Sequence, residues 1–277
     1  MSPGPDPVRR ARRSVPGTGP RPVLVEICCA SVEDVVAAEE GGADRVELCA
    51  GLVEGGTTPS IGLVGAVLGA VECAGVQVLV RPRGGDFLYS EAEVEVMLAD
   101  ISALRAMATP GGAQLGFVLG ALSVDGRIDE DVTGRLVAAC SGHPVTFHRA
   151  FDFTPDLLAS LGVLARLGVR RVLTSGGRQR AVDGSDVLAE LVRQAPPGLE
   201  ILAGGGVRAD SVGDLVRRTG VREVHLRAAR EVPSAMVYRS ADAGLSSPEA
   251  PGDYVRYAIS AGEVSAVCQA LSAFEAG

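Results

Sequence analysis

The chain has 277 residues, 47% hydrophobic and only 22% charged, a balance that suits a globular fold with a sizeable core and excludes a disordered or fibrous one. Its formal net charge of −8 excludes a general nucleic-acid binder, because such binding rests on a basic face making many phosphate contacts. All 26 basic side chains are Arg, so chemistry that needs a lysine amine, such as a Schiff-base aldolase, is excluded as well.

Residues 1–21, "MSPGPDPVRRARRSVPGTGPR", are rich in Pro, Gly and Arg and lack apolar periodicity, which predicts a disordered basic tail before one folded domain at 22–277. No stretch approaches the roughly 18 consecutive apolar residues of a membrane span, so no membrane partner is expected and the predicted location is cytoplasmic. Six Cys at 28, 29, 49, 73, 140 and 268 show neither C-x-x-C spacing nor the density of a disulfide scaffold, and are read as reduced thiols.

Beyond the tail, short β-branched runs alternate with amphipathic segments. Strands are predicted at 23–29, 43–49, 76–82, 114–120, 144–150, 170–175, 199–204 and 222–227. Helices are predicted at 32–41, 61–74, 90–107, 129–140, 155–167, 183–194, 209–219 and 253–274. "GADRVELC", "GVRRVLTS" and "GVREVHLR" share one junction, in which a glycine closes a helix and a strand follows. Eight such units predict an α/β fold, a single-domain (β/α)8 TIM barrel, with a doubly wound sheet as the rival. Residues 228–252, with Pro233, Pro248 and Pro251, read as an extended excursion.

Strand parity divides each strand between the helices and the barrel axis. With Val25, Ile27 and Cys29 facing the helices, Leu24, Glu26 and Cys28 point inward. Val46 and Leu48 face outward and turn Glu47 and Cys49 inward. The same reasoning points Arg81 and Arg83, then Thr146 and His148, then His225 and Arg227 into the barrel, with Asp152 just past the fifth strand. Buried charges need partners, so Glu26 and Glu47 are expected to meet Arg81 and Arg83.

The glycine-containing segments "TSGG" and "AGGGV" follow strands six and seven, where phosphate sites of this fold commonly form. Ser175, Gly176, Gly204, Gly205 and Gly206 are the candidates there, supplemented by Arg227 and Arg230. Two readings share the cavity. Cys28 and Cys49 on neighbouring strands suit one soft metal ion such as Cu(I). Alternatively, Glu26 or Glu47 acts as base and His148 or His225 as proton donor, with Arg81 and Arg83 clamping a small anionic or phosphorylated substrate for an isomerase, epimerase, lyase or hydrolase. No organic cofactor is expected, and a homodimer is the default oligomer.

"EICCASVEDVVAAEEGGADRVELCAGLVEGGTTPSIG", "RPRGGDFLYS", "PVTFHRAFD" and "RVLTSGG" together resemble the CutC copper homeostasis family, over about residues 23–270. The resemblance implies a cytoplasmic TIM-barrel protein associated with copper tolerance, with Cu(I) held by cysteines that match Cys28 and Cys49. "HLRAAR", with Leu226 and Arg227, departs from the pattern of relatives.

Overall fold

The computed structural model describes residues 23–109, 113–245 and 252–275, so the expected tail at 1–21 lies outside the described residues. Eight strands, β1 (Leu24–Cys29), β2 (Arg45–Leu48), β3 (Gly75–Leu79), β4 (Leu115–Leu119), β5 (Val145–Phe147), β6 (Arg171–Thr174), β7 (Glu200–Gly204) and β8 (Glu223–Leu226), pair in parallel and in sequence order, and β8 closes on β1. Around them run α1 (Val32–Glu40), α2 (Ile61–Ala70), α3 (Glu91–Arg105), α4 (Glu130–Ala139), α5 (Leu157–Arg166), α6 (Ser185–Gln194), α7 (Val212–Thr219) and α8 (Ala261–Glu275). The fold is the (β/α)8 barrel that the repeated unit predicts.

Local chemistry fixes the boundaries. Ser31 caps α1 by accepting from the Asp34 N–H at 3.0 Å, and Ser90 and Glu93 satisfy each other's backbone donors in a capping box at the start of α3. Gly42, Gly168 and Gly220, with φ of 94°, 82° and 73°, take the left-handed conformation that turns a helix end into the next strand. The outward parity of the strands, including Val25, Ile27, Cys29, Val46, Leu48, Val76 and Val78, is buried in one continuous core against the helices. Removing that apolar surface from water is the main force holding the ring of helices on the barrel.

Several boundaries differ from expectation, two of them for a reason visible in the contacts. The last helix begins at Ala261 rather than 253, because "VRYAI" forms β10 (Val255–Ile259), antiparallel to β9 (Ala229–Pro233). β-branched and aromatic residues at alternate positions favour a strand there. The excursion after β8 is thus a two-stranded arm, tied to the barrel where the Ile259 N–H donates to Asp34 at 2.8 Å. Strand five stops at Phe147, because His148 accepts from the Ala150 N–H at 3.2 Å and caps a short 3-10 helix over Arg149–Phe153. Among the described residues no helix is long and apolar enough to cross a membrane.

Candidate functional site

Inward side chains form layers along the barrel axis. Toward the N-terminal ends of the strands, Arg45 bonds Glu26 and, at 2.6 Å, Glu223, while Arg171 donates to Glu223 at 2.8 Å. All four are at most 9% exposed, so this is a buried charge ladder in which each ion has an opposite partner. It replaces the expected pairing of Glu26 and Glu47 with Arg81 and Arg83. Arg45 sits opposite Glu26 in the β1–β2 register, and being two residues before Glu47 it shares the inward parity. Arg81 lies past the end of β3 and donates to the carbonyls of Glu54, Gly56 and Gly85 at 2.7–2.8 Å. Arg83 turns out to the surface and pairs with Glu93 at 2.5 Å and Asp86 at 3.1 Å.

The next layer holds the thiols. Cys28 Sγ lies 3.4 Å from Cys49 Sγ, and the Cys49 thiol donates to the Cys29 carbonyl at 3.5 Å. His225 Nδ1 bonds Glu26 at 2.8 Å, its Nε2 stands 3.8 Å from Glu47, and the ligand atoms of Cys28, Glu47 and His225 all fall within 4.8 Å of one another. Leu79, Val118 and Leu52 pack against the sulfur pair. The loop after β2 closes over it, since a Cβ on Gly56 would sit 2.8 Å from Leu79 Cδ2 and 3.9 Å from Cys49 Sγ.

Protonation follows from these contacts. Burial works to raise the Glu26 carboxyl, but the Arg45 guanidinium and His225 outweigh it and bring it down to about 2. Burial and the nearby Glu26 charge instead hold the Glu47 carboxyl above its ordinary value, against the pull of His225. His225 is held well above the usual imidazole value: burial opposes its charge, but Glu47, Cys28 and Glu26 together prevail. The hydrogen bond that Cys28 donates to Cys49 and then burial push the Cys28 thiol well up, so it carries its proton when no metal is bound.

The glycine loops differ from expectation. At the TSGG loop the chain supplies its own anion: Asp152 accepts from Thr174 Oγ1 at 2.5 Å, Ser175 N at 3.1 Å, Gly177 N at 2.9 Å and Arg149 Nε at 2.8 Å. Ser175 and Gly176 therefore serve the Asp152 clasp, with the Gly176 N–H spent on Thr174 Oγ1 at 2.9 Å. Gly204 is a packing glycine, because a Cβ there would lie 2.6 Å from Leu173 Cδ1. The Gly205 carbonyl accepts from Ala181 N at 2.8 Å, and Gly206 packs beneath Arg180. Arg227 stacks on Tyr257 of the arm at 4.8 Å, and Arg230 is exposed.

His148 lies under Phe87, with ring centroids 4.9 Å apart, and burial together with the Arg81 charge lowers its ring to about 3. Of the barrel interior, parity reasoning located Glu26, Cys28, Glu47, Cys49, Arg81, His148 and His225. It passed over Arg45, Gln77, Arg171 and Glu223, although each stands two residues before an inward side chain on its own strand and the same parity marks it.

The profile of the CutC family matches residues 23–230. The CutC family protein of Mesorhizobium japonicum is 47% identical over 231 residues, covering 83% of this chain and 87% of that protein. The copper homeostasis protein cutC homolog of Mus musculus is 44% identical, covering 83% of each chain. A solved structure of the copper homeostasis protein CutC of Streptococcus agalactiae superposes with a TM-score of 0.68 at 32% identity, covering 73% of this chain and 97% of that one.

Proposed function

The chain belongs to the CutC family, and from that premise we propose that it acts in copper homeostasis by holding Cu(I) as cargo between Cys28 and Cys49. The observation that carries this reading is the convergence of the two sulfurs, 3.4 Å apart, from strands that could have pointed them elsewhere. Two thiolates in an apolar layer favour a soft monovalent ion over hard cations. His225 and Glu47 stand close enough to contribute a third donor or to receive a released proton.

Because the Cys28 thiol is protonated without metal, binding must expel its proton. His225 Nε2 can serve as a ligand only after losing its own. Affinity for Cu(I) should therefore rise with pH, with protons released on loading. A competitive Cu(I) titration under reducing conditions tests the reading: tight stoichiometric binding is expected in the parent chain and its loss in Cys28→Ser/Cys49→Ser. Unchanged affinity in the double variant would overturn it.

A further inference from the structure

Among the described residues three arginines are buried inside the barrel, and Arg45 and Arg171 both face carboxylates. Arg81 does not. It is 5% exposed, its hydrogen bonds go to neutral carbonyls, and its Nε–H has no partner. Among the described residues no carboxylate lies within salt-bridge reach of it, and a guanidinium withdrawn from water without a counter-charge is strongly unfavourable.

The adjacent strand ends supply further unpaired donors. The register sets Leu79 beside Val118 and Leu119 beside Phe147, which brings position 81, Gly120 and His148 to one level of the wall. A Cβ on Gly120 would lie 2.6 Å from His148 Cε1, so the imidazole occupies the space that a side chain on β4 would fill, on the side of Arg81. His148 Nδ1 accepts from Ala150 N, which leaves the ring proton on Nε2; that N–H also has no partner, although the residue is 5% exposed. Tyr89 Oη is buried beside Arg81, whose charge it feels, and makes no hydrogen bond within 3.5 Å. Phe87 covers the group, its ring 5.1 Å from Arg81 Cζ and 4.9 Å from the His148 ring.

We propose that this part of the barrel mouth is a subsite for the carboxylate of a small organic acid, which accepts from Arg81 Nε, His148 Nε2 and Tyr89 Oη beneath Phe87. A carboxylate presents two oxygens with lone pairs for several donors and supplies the negative charge that Arg81 lacks. One cation beside a neutral imidazole suits a monoanion. A phosphate dianion is better served by clustered cations or a free glycine loop, and the loop after β6 is already filled by Asp152. The subsite adds a ligand to the copper reading and uses neither thiol.

The test is a titration of the copper-free, full-length chain carrying 15N-labelled histidine, with sodium acetate and then inorganic phosphate at constant ionic strength. The sequence has three His, so each ring can be followed. A saturable shift of His148 Nε2 with acetate is expected, weakened at least about ten-fold in Arg81→Gln, as loss of a charge-assisted contact implies, and unchanged in Cys28→Ser/Cys49→Ser. Phosphate should leave the ring unmoved. Silence toward acetate would mean that these donors hold only water and would overturn the proposal, as would an equal response to phosphate or undiminished acetate binding in Arg81→Gln. If Arg81→Gln does not fold, the parent titration alone decides, since both response and silence are read without a substitution.

Discussion

Glu26 owes its ionised state to Arg45, and that dependence can be measured. Arg45→Met leaves Glu26 buried with His225 alone and Glu223 with Arg171 alone, and should lower stability by about 3–5 kcal/mol in urea denaturation. The pH dependence has a defined sign. Unfolded, Glu26 binds a proton near 4.5, whereas folded it resists to about 2, so its contribution is present above 4.5 and is lost as pH falls through that interval. His148 acts at higher pH: its ring stays neutral down to about 3 instead of 6.5, so the unfolded chain binds more protons and stability declines as pH falls from 6.5. Over that interval Glu26 stays ionised and the raised Glu47 carboxyl works in the opposite sense, so His148→Gln should remove the decline of the urea midpoint as pH falls from 6.5 to 4.5; an unaltered slope would contradict a buried neutral ring. Parity made these residues legible as inward-facing, but not their partners. Choosing Arg45 over Arg81 for Glu26 requires the β1–β2 register, which alternation along one strand does not contain.

Strand β4 shows how one element serves its neighbours by omission. Its inward positions are Gly116 and Val118, with Gly120 just past its end, and the two glycines lie under Gln77 and His148 respectively. Gly120→Ala should push the imidazole off its seat, costing about 1–3 kcal/mol, and the same histidine spectrum should show a changed His148 environment. A variant as stable as the parent, with an unmoved ring, would refute that packing. The helix-facing runs and the glycine junctions were readable because each is set by neighbours a few residues away. The β9–β10 arm was not, since "VRYAI" gains strand geometry from pairing with a segment that in sequence reads only as an extended excursion. The Asp152 clasp escaped for a related reason: a glycine loop looks alike in sequence whether its N–H groups await a ligand or hold the chain's own carboxylate.

Across the whole molecule, stability and candidate chemistry occupy different ends of the barrel. The charge ladder lies toward the N-terminal ends of the strands; the thiol layer and the Arg81–His148 group lie toward their C-terminal ends, where this fold places its sites. Arg171→Met should therefore reduce stability by about 1–3 kcal/mol through the unpaired part of Glu223 while leaving Cu(I) affinity unchanged. Denaturation and metal competition on one sample would check both halves, and a parallel loss of affinity would show that the two ends are coupled. The seam between β1 and β8 carries a further consequence, for synthesis. Glu26 and His225 meet across it although 199 residues separate them, whereas the other strand pairs of the barrel join neighbours in strand order. A chain emerging from the ribosome can thus assemble the wall progressively, but the ring cannot shut until its eighth strand has been made. A nascent chain carries both cysteines long before it has the imidazole that completes their surroundings, so on the proposed copper reading Cu(I) would meet the finished site only late in the life of the polypeptide.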